Sequence, residues 1–300
     1  MPLFRLAHLS DPHLPSPLTL GPAGELVSKR TLSRLAWRRK HRQHDPAVLG
    51  QISADITAYA PDHIALTGDL TNFSTQAEFA AARTWLESLG PADRVTVSPG
   101  NHDALTADAQ ADRVAAFGPW FGDGGEAHFP RVRRRGPVAL VNLCSAVPTP
   151  PLLASGRLGE AQLERLSQAL DDLGREGLFR VVLLHHPAGA GVVSRRKALA
   201  DGPEFREVLR RHGAELVLHG HAHEAVFGVV AGPHGPIPVL GVPSASAPSG
   251  TQHAAARWHA IEIEPGEGLR VIARGLEARS GEVGELGRYA LPGLSAGIAA

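Results

Sequence analysis

Short apolar runs recur along the chain, and each gives way to side chains that bind cations. Asp11 and His13 follow Leu3–Leu9, Asp69 follows His63–Thr67, and Asn101 and His102 follow Arg94–Val97. His185 follows Phe179–Leu184, and His221 and His223 follow Glu215–His219. Runs of this length read as buried strands, so these donors are expected at one end of one sheet. A mixed set of carboxylate, amide and imidazole donors suits a pair of divalent metals. Two such ions about 3.5–4 Å apart clamp a phosphate and acidify a water between them. The hydroxide so formed attacks phosphorus in line, and the leaving oxygen takes a proton from a histidine not spent on metal.

The spacing sharpens this expectation. Asp11 and His13 are separated by one residue, as are His221 and His223. In extended backbone, residues i and i+2 point the same way, so each pair is expected to aim both donors into one site. Gly68 lets the chain turn sharply before Asp69. A carboxylate at that turn could bridge two metals, because its oxygens are separate donors. Gly100-Asn101-His102-Asp103 offers an amide oxygen, an imidazole and a carboxylate in succession.

The elements that must position these donors alternate between strand and helix. Asp45 caps a helix with Pro46 at its first position, and Leu49, Ile52, Ile56 and Tyr59 share its face until Pro61. Thr75-Gln76-Ala77-Glu78 fits a capping box for a helix through Phe79, Leu86 and Leu89. Strands are expected at Ile64–Thr67, Val95–Val97, Val138–Leu143, Arg180–Leu184 and Leu216–Leu218. A Leu163-Leu166-Leu170-Leu173 helix closed by Gly174, and a Glu204–His212 helix, lie between the later ones. The alternation predicts an α/β core, whose strand C-termini are where ligand sites form. After residue 224 the pattern becomes short strands separated by Gly and Pro, as in an antiparallel section. Glu277–Ala300 is rich in Gly, Ala and Ser and is expected to be a loosely ordered tail after one domain over residues 1–276.

Composition excludes several classes. The chain has 300 residues, 43% hydrophobic, with a formal net charge of zero, so it is not a generic polyanion binder. A single cysteine, Cys144, rules out a disulfide framework and a thiolate metal site, and reads as a small buried residue. No apolar run approaches a membrane span, and no signal-peptide pattern opens the chain. The expected location is therefore cytoplasmic.

The motif blocks Asp11-Pro12-His13, Gly68-Asp69-Leu70-Thr71-Asn72, Gly100-Asn101-His102-Asp103, His185-His186-Pro187 and Gly220-His221-Ala222-His223 resemble those of the calcineurin-like metallophosphoesterases, in order and number, over roughly residues 3–225. The resemblance implies a four-layer αββα sandwich, two mixed sheets flanked by helices. It implies a two-metal site of Mn or Fe, with Zn as the other candidate. Asp11, His13 and His223 would hold the first metal, Asp69 would bridge, and Asn101, His185 and His221 would hold the second. His102 would face the leaving group, oriented by Asp103, and His186 would lie behind the ligands. Asn72 further resembles the class III cyclic-nucleotide phosphodiesterase branch. The activity implied is a metal-dependent phosphodiesterase. A pyrophosphatase on a nucleotide- or lipid-linked diphosphate, a nuclease, and a silent scaffold of the same fold are the alternatives.

Between the first two blocks, Lys29–Arg42 carries seven basic residues and no acid, with Leu32, Leu35 and Trp37 interleaved. A basic amphipathic helix within an insertion at about 15–45 would contact an anionic substrate or lipid surface; a solvated face is the plainer reading. Arg131–Arg135 reads as an exposed edge, and Gly124-Gly125 near Trp120 and Phe121 as a plain loop, with a flexible rim as the alternative. His8, His63, His212, His219, His234, His253 and His259 receive no role.

Overall fold

The computed structural model describes residues 3–16, 29–37, 43–124, 128–264, 266, 268–277 and 280–292. Two six-stranded sheets form the centre. The first has parallel strands β1 (Phe4–Leu9), β2 (His63–Leu66) and β3 (Val95–Val97), continued antiparallel by β10 (Arg257–Glu264), β11 (Gly268–Leu276) and β12 (Val283–Pro292). The second has parallel β5 (Val138–Asn142), β6 (Phe179–Leu183), β7 (Leu216–His219) and β9 (Gly235–Gly241), with antiparallel β4 (Arg131–Arg135) and β8 (Val226–Gly232) at its edges.

Burial explains the layering. In β1, Leu6 faces the second sheet and packs with Leu140, Val181, Leu183, Leu218 and Ile261. Ala7 and Leu9 face the other way, onto α2 (Pro46–Tyr59) and α3 (Gln76–Leu89) through Leu49, Ile52, Ile56, Phe79 and Leu86. On the far side, α5 (Glu160–Arg175) and α6 (Gly202–His212) cover the second sheet through Leu163, Leu166, Leu170, Phe205 and Leu209. Helix, sheet, sheet and helix make the four-layer αββα sandwich. The expected caps form: Asp45 accepts from the Ala47 backbone, and Thr75 and Glu78 close a capping box.

Several expectations need correction. Residues 283–292 are not loose but form β12, paired along β11 with one bulge at Ala273/Arg274. Backbone pairing at a sheet edge needs little from side chains, so a Gly- and Ala-rich composition hid it. Residues 293–300 lie outside the described residues. The α5 helix runs through Gly174 to Arg175, and Gly177 takes the left-handed turn (φ 71°). Gly174 is small because the Arg180 guanidinium lies where its Cβ would be. On the expected edge strand β4, Arg133 is buried and pairs with Asp123 at 3.1 Å. Trp120 and Phe121 are core residues beside Phe117, held there by a short helical turn; Gly124 lies in an exposed bend, and Gly125 lies outside the described residues. Cys144 is half-buried.

Within the basic segment, α1 spans Lys29–Trp37; residues 17–28 and 38–42 lie outside the described residues. The described basic residues do not form a solvated face. Lys29 reaches Thr149 Oγ1 (2.6 Å) and the Leu153 carbonyl (3.1 Å). Arg30 donates to the carbonyls of Phe73 (3.1 Å) and Ser74 (3.0 Å) and pairs with Asp108 (2.9 Å). Arg34 is buried over the Phe73 ring. Leu32 and Leu35 are the exposed residues. The cations tie the helix to the body.

Candidate metal centre

The sequence-selected donors converge at the C-terminal ends of the parallel strands. The first two motif loops extend the β1–β2 pairing beyond the strands: Asp11 N–H donates to the Gly68 carbonyl (3.0 Å) and His13 N–H to the Asp69 carbonyl (3.1 Å). The expected extended i, i+2 geometry is not what aims the side chains. Asp11 (φ 51°), His13 (42°), Asp69 (56°), His221 (65°) and His223 (56°) all adopt left-handed backbone. Each non-glycine residue in that region is disfavoured, so the loops hold the donors by tight turns instead. Asp11 and His13 still enter one group, whereas His221 and His223 diverge into two. Gly68 is required by space as well as by its φ of 96°: a Cβ there would stand 2.7 Å from His185 Nδ1.

One group gathers Asp11, His13 and His223; the other gathers Asp69, His185 and His221, each with candidate ligand atoms within 4.8 Å of one another. In the first, His223 Nε2 lies 3.1 Å from Asp11 Oδ1 and His13 Nε2 lies 4.0 Å from it. In the second, His185 Nε2 is 3.3 Å from Asp69 Oδ2 and 3.2 Å from His221 Nδ1. Asn101 Oδ1 joins the second group at 3.2 Å from His185 Nε2. Asp69 Oδ2 also lies 3.9 Å from His13 Nε2, so this carboxylate stands between the groups.

The remote ring nitrogens fix the imidazoles. His13 Nδ1 meets Asn72 Oδ1 (3.0 Å), His185 Nδ1 meets the Thr67 carbonyl (2.6 Å), and His221 Nε2 meets the Lys197 carbonyl (2.9 Å). Each acceptor holds the proton on the outer nitrogen and turns the inner lone pair toward the group, as metal-binding histidines require. Asn72 is itself locked by donating to the Leu14 carbonyl (2.7 Å). Burial pushes the Asp11 carboxyl up, but the electrostatic pull and hydrogen bond of the neighbouring His223 outweigh it and bring it to about 2. Burial pushes His185 down, and the Asp69 carboxylate overrides this to bring it to about 9. The His185 proton marks the place where the Asp69 carboxylate attracts positive charge, which a cation would take over, and the oxygen-plus-nitrogen donor sets fit a divalent ion at each group.

His102 stands apart from both groups. Its Nδ1 bonds the Asn72 carbonyl (2.8 Å) and its backbone N–H donates to Asp69 Oδ1 (2.7 Å). The expected orienting contact from Asp103 is absent among the described residues. Asp103 instead accepts the backbone N–H groups of Asp69 (2.9 Å), Leu70 (3.0 Å), Thr71 (2.9 Å) and Gly100 (2.9 Å), plus the Thr71 hydroxyl (3.0 Å). Its role is to tie two ligand loops together, because a fully buried carboxylate takes the nearest unsatisfied amides. Burial, with Asp69 adding to it, pushes this carboxyl up to about 6 against those bonds. His186 lies behind the ligands as expected, its ring between Ser145 Oγ (2.8 Å) and the Ala154 carbonyl (3.2 Å).

The groups open into a cavity of about 210 Å³ lined by His13, Asp69, Asn101, His102, His221 and His223. Its wall also holds Ser33 and Trp37 of α1, from the segment expected to contact the substrate, and four residues that sequence reasoning did not place there: Gln43, His44, Lys197 and His253. The insertion thus reaches the site, but nothing in the local sequence marked His44. A larger cavity of about 390 Å³ lies away from the donors, between the sheets beside Phe227 and Tyr289. Among the described residues, no helix is long and apolar enough to cross a membrane.

Residues 4–225 match the family described as calcineurin-like phosphoesterase. A probable cyclic nucleotide phosphodiesterase from a Synechococcus strain is 30% identical over 213 residues, covering 69% of this chain and 73% of its own. Among solved structures, a dimetal phosphatase from Danio rerio aligns with TM-score 0.58 at 12% identity, covering 96% of this chain and 98% of its own. Purple acid phosphatase PPD1 from yellow lupin aligns with TM-score 0.60 at 12% identity, covering 97% of this chain and 54% of its own. At those identities the two structures speak for the fold.

Proposed function

This chain belongs to the calcineurin-like phosphoesterase family, and from that premise we propose that it is a dinuclear metal-dependent phosphodiesterase, with cyclic nucleotides its leading substrates. Asp11, His13 and His223 would hold one ion, Asn101, His185 and His221 the other, and Asp69 would bridge them. The observation that carries the reading is the placement of Asp69 between two buried donor groups with His102 beside them in the same cavity. When bound, a pair of divalent ions neutralises phosphoryl charge and acidifies water.

The protein's own residues supply the rest. Because the Asn72 carbonyl accepts from His102 Nδ1, that nitrogen keeps its hydrogen and Nε2 is the atom that exchanges a proton with the cavity. As an oxygen from water bonds to phosphorus and the P–O bond to the leaving group breaks, His102 Nε2–H protonates the departing oxygen, and the proton given up by that water restores His102; the products are a monoester and an alcohol, joined in one molecule when the diester is cyclic. Such a group contributes about 10²–10⁴-fold. Asn72 serves twice, fixing His13 by its side chain and His102 by its carbonyl, so a ligand and the proton donor share one support. The diester preference and the cyclic-nucleotide reading are supported by the name of the Synechococcus relative.

The test is a substrate panel on protein loaded with Mn, Fe or Zn: cyclic nucleotides, an aryl phosphodiester, nucleotide diphosphates, and single-stranded nucleic acid. Hydrolysis of the diesters, led by the cyclic nucleotides, is expected. Exclusive cleavage of diphosphates would replace the reading with a pyrophosphatase, and cleavage of nucleic acid alone with a nuclease. No turnover with any metal would leave a silent scaffold.

A further inference from the structure

The cavity wall contributed by the insertion has a defined chemistry of its own. Trp37 and His44 stack face to face, ring centroids 5.1 Å apart and planes 6° apart. His44 is not free to turn, because its Nδ1 is 2.8 Å from Ser246 Oγ and 3.3 Å from Ser244 Oγ. Its ring also sits 4.3 Å from that of His13, so the stacked pair stands directly on the first donor group. Trp37 is fixed at its other contacts too. It meets Phe73 edge-on (81°), and it lies 6.3 Å from His102 at a 57° tilt and 5.4 Å from His13 at 46°. Among the described residues His44 is the ring that stacks flat on the indole, and Trp37 is half-buried and lines the cavity. Arg30 and Lys29 hold the helix that carries it.

We propose that the Trp37–His44 pair is a stacking subsite for a planar aromatic group of the substrate, such as a nucleobase. This deepens the phosphodiesterase reading and rests on it for the position of the phosphate. A phosphoryl group held between the donor groups and His102 has its organic substituent in the same cavity, where Trp37 is the largest apolar side chain of the lining. Both rings are immobilised before any ligand arrives, so little conformational entropy is lost on stacking. The outer wall adds Gln43 and Ser33, whose side chains offer donors and acceptors for the edge of a base. Base–aromatic stacking tolerates any base, because every base has a π face. The subsite therefore selects nucleotides over alkyl diesters without selecting strongly among bases.

The test uses the metal-loaded full chain and two variants, Trp37→Leu, which keeps an apolar side chain, and Trp37→Phe, which keeps a ring. Two substrates are compared: 3′,5′-cyclic adenosine monophosphate and glycerophosphoethanolamine, a dialkyl diester. Trp37→Leu is expected to raise KM for the cyclic nucleotide roughly 10- to 100-fold, with kcat nearly unchanged and the dialkyl ester unaffected. Trp37→Phe should restore most of the loss. Calorimetric titration with adenosine 5′-monophosphate and with inorganic phosphate supplies a readout independent of turnover. Trp37→Leu should weaken the nucleotide by the same factor and leave phosphate unchanged. Equal effects on both substrates, or on both ligands, would show that Trp37 merely anchors α1 and would overturn the subsite. A wild-type protein that binds the nucleotide through Trp37 yet cleaves no diester would instead overturn the proposed activity and uphold the subsite.

Discussion

Replacing Asp103 by Asn separates two roles for this carboxylate: orienting His102, or holding the loops that carry Asp69 and Asn101. Oδ1 accepts from the Leu70 and Thr71 backbones and the Thr71 hydroxyl, and Oδ2 from the Asp69 and Gly100 backbones. An Asn can keep its oxygen on the first set, but its NH₂ then confronts two N–H donors. Two charge-assisted bonds are lost, at about 1.5–3 kcal/mol each. Burial already pushes the Asp103 carboxyl up to about 6, so part of that bonding offsets the cost of keeping its charge in the interior. The lower end, about 3 kcal/mol, is therefore expected, against a total stability of about 5–15 kcal/mol. For a chain of 300 residues, with about 2.1 cal/mol/K of unfolding entropy per residue, that lowers Tm by about 5 °C. Because the Asp69 and Gly100 amides sit beside ligands of both groups, metal content should fall as well. Thermal unfolding and elemental analysis of the purified variant measure both. A variant with unchanged Tm and full metal content, but without activity, would refute the loop role and restore Asp103 as the orienter of His102.

Other outcomes follow from the same geometry. His102→Ala should retain both metals and Tm and lose about 10²–10⁴ in turnover; loss of a metal in elemental analysis would make it a ligand. Chelation should abolish activity, and a divalent ion at about 100 times its Kd should raise stability by about 2.7 kcal/mol, read as a shift in Tm that Asp69→Ala suppresses. Burial holds His8, His63 and His259 well below the usual histidine range, His259 at about 3, with His259 and then His219 adding to it at His8, Arg133 at His63 and Arg257 at His259. They stay neutral in the fold while the unfolded chain takes up protons below about pH 6.5, so each should subtract about 2 kcal/mol by pH 5. Urea unfolding across pH 7 to 5 checks this, and a flat stability curve would contradict it.

The donors were legible because each belongs to a local motif whose strand end could be read from a few apolar residues. Asp11, His13, Asp69, Asn101, His185, His221 and His223 all arrive where strand C-termini place them. Residues that act through tertiary contact were not legible. His44 reaches the cavity through serines some 200 residues later in the chain, a |i−j| of 202 to Ser246. Asp103 looked like a partner for its sequence neighbour, yet its bonds run 32 to 34 positions back to residues 69–71. The basic segment was legible in part. A helix contacting the substrate was expected, with a solvated face as the alternative, while the carbonyls of Phe73, Ser74 and Leu153 that Arg30 and Lys29 satisfy are visible only in three dimensions.

The left-handed backbone at Asp11, His13, Asp69, His221 and His223 gives the site its energetic character. A non-glycine residue there costs on the order of 1–2 kcal/mol, so the five together hold several kcal/mol against the fold. Glycine would relieve that cost at each position but would remove the donor, so chemistry and backbone ease are in direct conflict. The conflict is resolved by over-determination. The Gly68 and Asp69 carbonyls accept from Asp11 and His13, Asp103 gathers the amides of residues 69–71, and Asp11 Oδ2 accepts the His221 N–H at 2.9 Å. Loops tied this way cannot relax when a ligand side chain is truncated, so an Ala variant should leave a preformed gap rather than a collapsed one. That is why single-histidine ligand variants are expected to weaken metal binding without unfolding the chain, whereas Asp103→Asn, which cuts the ties themselves, is expected to do both.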